Sequence, residues 1–87
     1  HAFAKALAVE FGEFGITANT VSPGSLDTKR DWTQYPPDWV EMRKAQIPVR
    51  RLGTADEIAA ACLYLVNEHS GFTTGQVIHV NGGQYMY

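Results

Sequence analysis

The chain has 87 residues, nine acidic and seven basic, for a formal net charge of −2. That balance argues against nucleic acid or an anionic membrane surface as a partner, and no apolar run approaches the roughly 18 residues needed to cross a bilayer. One cysteine, Cys62, excludes a disulfide within the chain and fits a reducing, cytoplasmic setting.

The first element is a helix from His1 to about Phe11. Phe3, Leu7 and Phe11 recur at i, i+4 and i+8, with Ala2, Ala6 and Val9 on a neighbouring face. Only His1, Lys5 and Glu10 are strongly polar, a pattern for burial against more than one neighbour, another subunit among them. The helical pattern is already running at His1, with neither a Met nor an N-cap before it. We therefore expect residues 1–87 to be the C-terminal segment of a longer protein, its N-terminal half absent. His1 is either a ligand or base, or an ordinary surface residue.

Gly12 and Gly15 bracket the helix stop, and Ile16 to Val21 then reads as a strand by length and β-branched content. Helix, short loop and strand in that order predict one crossover of a parallel α/β sheet. Asn19 is either a catalytic amide or a side chain tying down nearby backbone. The strand stops at Pro23-Gly24, with Thr28 just beyond. In open parallel sheets ligands bind beyond the carboxyl ends of the strands, and Gly lets one approach the backbone closely. The plainer reading is an ordinary Pro-Gly turn.

Residues 29–48 read as a loop holding one short helix, opened by Pro36 and Pro37 and ended before Pro48. Asp38 and Glu41 near its start and Arg43 and Lys44 farther along suit the helix dipole. Trp32, Tyr35 and Trp39 are either packing anchors or an apolar lid over a ligand. Thr54-Ala55-Asp56-Glu57 is a capping box, opening a helix whose stripe is Ile58, Ala61, Cys62 and Leu65. After a polar loop from Asn67 to Gly75, Gln76 to Val80 reads as a buried strand ended by Asn81-Gly82-Gly83. His79 within it reads as a packing residue. Both strands are expected to be buried on two faces, as a parallel sheet requires.

The chain resembles the short-chain dehydrogenase/reductase family along its length. The residues carrying the resemblance are Ala6-Leu7-Ala8-Val9-Glu10, Gly15-Ile16-Thr17-Ala18-Asn19, Ser22-Pro23-Gly24, Thr28, Ile47-Pro48, Arg51-Leu52-Gly53-Thr54, Glu57-Ile58, Thr74-Gly75-Gln76 and Val80-Asn81-Gly82-Gly83. The likeness is to its shorter members, such as beta-ketoacyl carrier-protein reductases and sugar or polyol dehydrogenases. It implies an α/β fold, the C-terminal part of a Rossmann-type doubly wound parallel sheet. It also implies NAD or NADP as cofactor, a small carbonyl or alcohol substrate, and a homo-oligomer, dimer or tetramer. By the same likeness Pro23, Gly24, Leu26 and Thr28 contact the nicotinamide side of the cofactor, Leu26 through its main chain. Trp32, Tyr35 and Trp39 lie in the family's substrate loop.

The family's catalytic Ser, Tyr and Lys have no counterpart in these 87 residues, and Lys5 has no Tyr four positions before it. Arg50 and Asn81 depart from the pattern, where a small residue and an Asp are common. Two other readings stand beside the enzyme: a non-catalytic nucleotide-binding or oligomer-forming member of the same fold, and a complete small interaction domain.

Overall fold

A computed structural model describes residues 1–27 and 32–86, leaving aside the side chain of Trp32. The elements are α1 (Ala2–Phe11), β1 (Thr20–Pro23), α2 (Trp39–Ala45), α3 (Ala55–Val66) and β2 (Val77–Val80), with 3₁₀ turns at Gly12–Phe14 and Trp32–Gln34. β1 and β2 pair in parallel, Thr20 beside Val77 and Pro23 beside Val80. The long connection between them carries α2 and α3, and α3 lies against both strands. This is a parallel crossover, formed between β1 and β2 and not at the α1–β1 step from which one was expected.

α1 ends where Gly15, at φ 78°, takes a left-handed turn closed by its N–H on the Gly12 carbonyl at 3.0 Å. Its inward stripe is Ala4, Leu7, Ala8 and Phe11, and Ala8 packs close to Gly75. Phe3, which the i, i+4 pattern placed in that stripe, is 77% exposed.

β1 lies later than the β-branched run suggested, at Thr20–Pro23 instead of Ile16–Val21. The cause is side-chain hydrogen bonding before the ladder begins. Ala18 donates its N–H to the Thr74 hydroxyl at 3.1 Å and its carbonyl accepts from Gly75 at 2.8 Å. Asn19 spans the gap, donating to the Thr73 carbonyl and accepting from the Gln76 N–H, both at 3.0 Å. The amide therefore ties backbone together, the second of the two roles open to it. Pairing becomes a ladder only when the Thr20 N–H reaches the Gln76 carbonyl at 2.9 Å.

α2 begins at Trp39, not at the prolines, because the Pro36 carbonyl accepts the Trp39 N–H at 3.0 Å and places both prolines in the turn ahead. α3 carries the capping box in full: Glu57 N–H donates to Thr54 Oγ1 at 3.3 Å, and Thr54 N–H to Glu57 Oε1 at 3.1 Å. Ile58, Ala61 and Leu65 of its stripe are half-buried, whereas Cys62 is exposed.

The strands are half-buried, not enclosed on both faces, and Pro23 and His79 are exposed. Among the described residues the buried apolar side chains are Ala8, Ile47 and Leu52, with Ile47 at 1% exposure. The accessible surface of 6521 Å² exceeds the roughly 5,100 Å² of a folded monomer of this mass. The radius of gyration, 16.1 Å, exceeds the roughly 12 Å of a compact domain of this length.

Candidate cofactor-binding site

Because β1 and β2 run in parallel, both carboxyl ends emerge on one side. Two turns meet there, Gly24–Asp27 from β1 and Asn81–Gly83 from β2. They touch at Gly24, where a Cβ would stand 2.6 Å from Asn81 Cβ and 2.8 Å from Asn81 Cα. Only glycine fits, and its own neighbour is already a sufficient reason. The Gly24 N–H continues the ladder to the Val80 carbonyl at 2.9 Å.

Past Gly24 the chain pairs with a second, distant segment. Leu26 forms an isolated parallel bridge with Gly53. Gly53 donates to the Ser25 carbonyl at 3.0 Å, and its own carbonyl accepts the Asp27 N–H at 2.9 Å. In a parallel bridge of this kind the central residue's own N–H and C=O point the other way. Among the described residues no hydrogen bond uses either group of Leu26. One donor and one acceptor on adjacent backbone atoms are thus left facing away from Gly53.

Gly53 sits in a stapled corner. Arg51 makes a two-pronged contact with Glu57, Nη1 to Oε1 at 2.7 Å and Nη2 to Oε2 at 2.8 Å, and Nη1 also reaches the Leu52 carbonyl at 3.3 Å. The Arg51 guanidinium, with the Thr54 N–H second, holds the Glu57 carboxyl at about 2, well below its ordinary 4.5. The same pair raises Arg51.

The aromatic segment faces this turn. Tyr35 and Trp39 pack ring on ring at 4.7 Å between centroids, tilted by 32°. The Arg43 guanidinium carbon lies 5.2 Å from the Trp39 ring centre, within range of a cation–π contact. Gly24, Leu26, Tyr35, Trp39 and Arg43 share one cleft of about 280 Å³. Of the residues singled out in the sequence, four are therefore brought together: Gly24, Leu26, Tyr35 and Trp39. Pro23 lines a neighbouring cleft of about 450 Å³ with His1 and His79. Thr28 and the Trp32 side chain lie outside the described residues.

Two participants were missed by the sequence reading. Arg43 follows Trp39 by four positions, a spacing that would have placed it on the same helix face. Gly53 carries no local signal, since its partner is 27 positions away. Among the described residues no group of three or more His, Cys, Asp or Glu could hold a metal ion, and no helix is long and apolar enough to cross a membrane.

A parallel crossover with a turn pair beyond its strand ends makes this an α/β protein with a cleft beyond the carboxyl ends of its strands. Comparison with known proteins is more specific. The family described as Enoyl-(Acyl carrier protein) reductase matches residues 1–85. The 3-oxoacyl-(acyl-carrier-protein) reductase FabG of Buchnera aphidicola subsp. Schizaphis graminum is 44% identical over 88 residues, covering 97% of this chain and 34% of the relative. Acetoacetyl-CoA reductases of Acinetobacter sp. and Cupriavidus necator are 44% and 45% identical, covering 98% and 99% of this chain and 34% and 35% of those proteins. The chain belongs to the short-chain dehydrogenase/reductase family, of which it is a C-terminal portion. It spans about a third of the length of the curated relatives it matches.

Proposed function

We propose that this chain is the C-terminal segment of a single Rossmann-type domain whose whole protein is an NAD(P)-dependent oxidoreductase. The observation that carries the reading is the main chain of Leu26. A primary carboxamide offers one acceptor and one donor, and the outward N–H and C=O of Leu26 complement both. Leu26 lines the cleft shared with Gly24, Tyr35 and Trp39.

A nicotinamide cofactor would supply hydride transfer to or from a carbonyl or alcohol carbon. The residues of this chain bind and orient. Leu26 fixes the carboxamide, and with it which ring face turns to the substrate. Gly24 keeps the turn tight against Asn81, with Pro23 setting its backbone, and Thr28 adds a hydroxyl. Tyr35 and Trp39, with Trp32, cover the substrate and exclude water. Such positioning can supply several kcal/mol of barrier reduction.

The relatives named as 3-oxoacyl and acetoacetyl-CoA reductases favour a 3-oxoacyl thioester as substrate. The uncovered apolar faces of α1 and α3 favour a homo-oligomer. We place the protein in the cytoplasm, in keeping with its single cysteine.

The test is titration of the full-length protein with NADPH and with NADH, followed by turnover of acetoacetyl-CoA. Saturable binding of one dinucleotide with substrate-dependent oxidation is expected. Binding without turnover of any carbonyl substrate would favour a non-catalytic nucleotide-binding protein. Absence of binding to either dinucleotide would refute the proposal.

A further inference from the structure

The orientation of Leu26 is set from a distance. Its bridge partner Gly53 lies in the short segment Arg51–Thr54, and both ends of that segment are fixed to the first turn of α3. At one end the Arg51 guanidinium grips both oxygens of Glu57 at 2.7 and 2.8 Å. At the other, Thr54 donates its N–H to Glu57 Oε1 at 3.1 Å and accepts from the Glu57 N–H at 3.3 Å. One carboxylate thus holds residues on both sides of Gly53. Gly53 in turn binds the residues on both sides of Leu26, and a Cβ on Gly53 would stand 2.9 Å from Leu26 Cδ2. The contacts form a continuous path from an exposed ion pair to the backbone of Leu26, a residue that lines the cleft.

We propose that Arg51 is a positioning residue for the cofactor's carboxamide, acting through Glu57, Gly53 and Leu26 without touching the ligand. The proposal rests on the reading of Leu26 given above. An ordinary surface ion pair contributes little to stability, so only a small shift in melting temperature is expected beside the effect on carboxamide recognition. The two-pronged geometry needs a guanidinium; a lysine ammonium supplies the charge but not the fork.

The experiment uses the full-length protein and variants Arg51→Met, Arg51→Lys and Glu57→Gln. Each is assayed with the dinucleotide it prefers and with the 3-acetylpyridine analogue, in which a methyl ketone replaces the carboxamide and removes its donor. The readouts are KM for each dinucleotide, kcat and the melting temperature. Wild type should prefer the carboxamide. In Arg51→Met that preference should shrink several-fold through a rise in KM for the natural cofactor, with the analogue less affected. Arg51→Lys should recover part of it. Glu57→Gln keeps an acceptor for the Thr54 N–H but loses the charge, and should repeat the effect if Arg51→Met does not fold. An equal loss with both dinucleotides, or no loss with either, overturns the positioning role. Absence of any preference in wild type overturns the Leu26 reading beneath it.

Discussion

Gly24 shows how far one position can constrain a site. An added methyl would meet the Asn81 backbone, 2.8 Å from its Cα, and backbone cannot swing aside as a side chain can. Gly24→Ala should therefore destabilise the protein by about 1–3 kcal/mol, as overpacking does, and should spread the two turns apart. Chemical denaturation checks the first effect and cofactor affinity the second; a neutral change in both would mean the turns are not in contact. Glu57 gives a pH prediction. Its folded carboxyl titrates at about 2, below the ordinary 4.5, so its stabilising share is complete above 4.5 and disappears as pH falls toward 2. Helicity followed by circular dichroism should fall more steeply across that window in wild type than in Glu57→Gln. Arg50 is the one described residue other than glycine with positive φ, at 60°. That is the position where the family commonly has a small residue, and here an Arg adopts the strained conformation.

Among the elements, α2 and the turn before it carry the aromatic residues we propose as a cover. Trp39 contacts both the Tyr35 ring and the Arg43 guanidinium, so these side chains are held together without a ligand. Trp39→Ala removes both contacts, each worth about 0.5–1.5 kcal/mol. It should lower kcat/KM for substrate several-fold while changing the cofactor's Kd little. Equal changes in both constants would reduce these rings to packing. What the sequence made legible followed the range of the interaction. α3 could be placed to the residue because Thr54 and Glu57 cap it locally. β1 was misplaced because its first hydrogen bonds come from Asn19 and Thr74, side chains more than 50 positions apart. Gly24 stands out as the turn at a strand's carboxyl end and Leu26 through resemblance, whereas the Leu26–Gly53 bridge is a property of the folded chain alone.

At the scale of the whole molecule, three buried apolar side chains among the described residues and an excess of surface suit the proposal that these 87 residues belong to a larger domain. Ordering the chain costs on the order of 100 kcal/mol, and so thin a core cannot offset it. The segment alone should show no cooperative thermal transition at monomer mass; a sharp, reversible one would contradict this. Phe3 and Val9 on α1, Leu63 and Val66 on α3, and the fully exposed Phe72 leave apolar surface that the proposed homo-oligomer would cover. Sedimentation of the full-length protein should show a dimer or tetramer at micromolar concentration, and monomer alone would remove that expectation.

The turn after β2 has a consequence of another kind. Its three residues hold three successive points: Asn81 meets Gly24, Gly82 meets Ile47 and Val49, and Gly83 meets Pro48. The polypeptide between Gly24 and Ile47 therefore leaves and returns at one anchored place. Lengthening such a loop costs little, about 0.6 kcal/mol per doubling. Past Leu26 and Thr28, its composition can be rewritten without disturbing the strands or the corner at Gly53. Evolution can thus exchange the segment we propose to meet the substrate as a cassette, while Gly24 and Leu26, the proposed cofactor contacts, are kept.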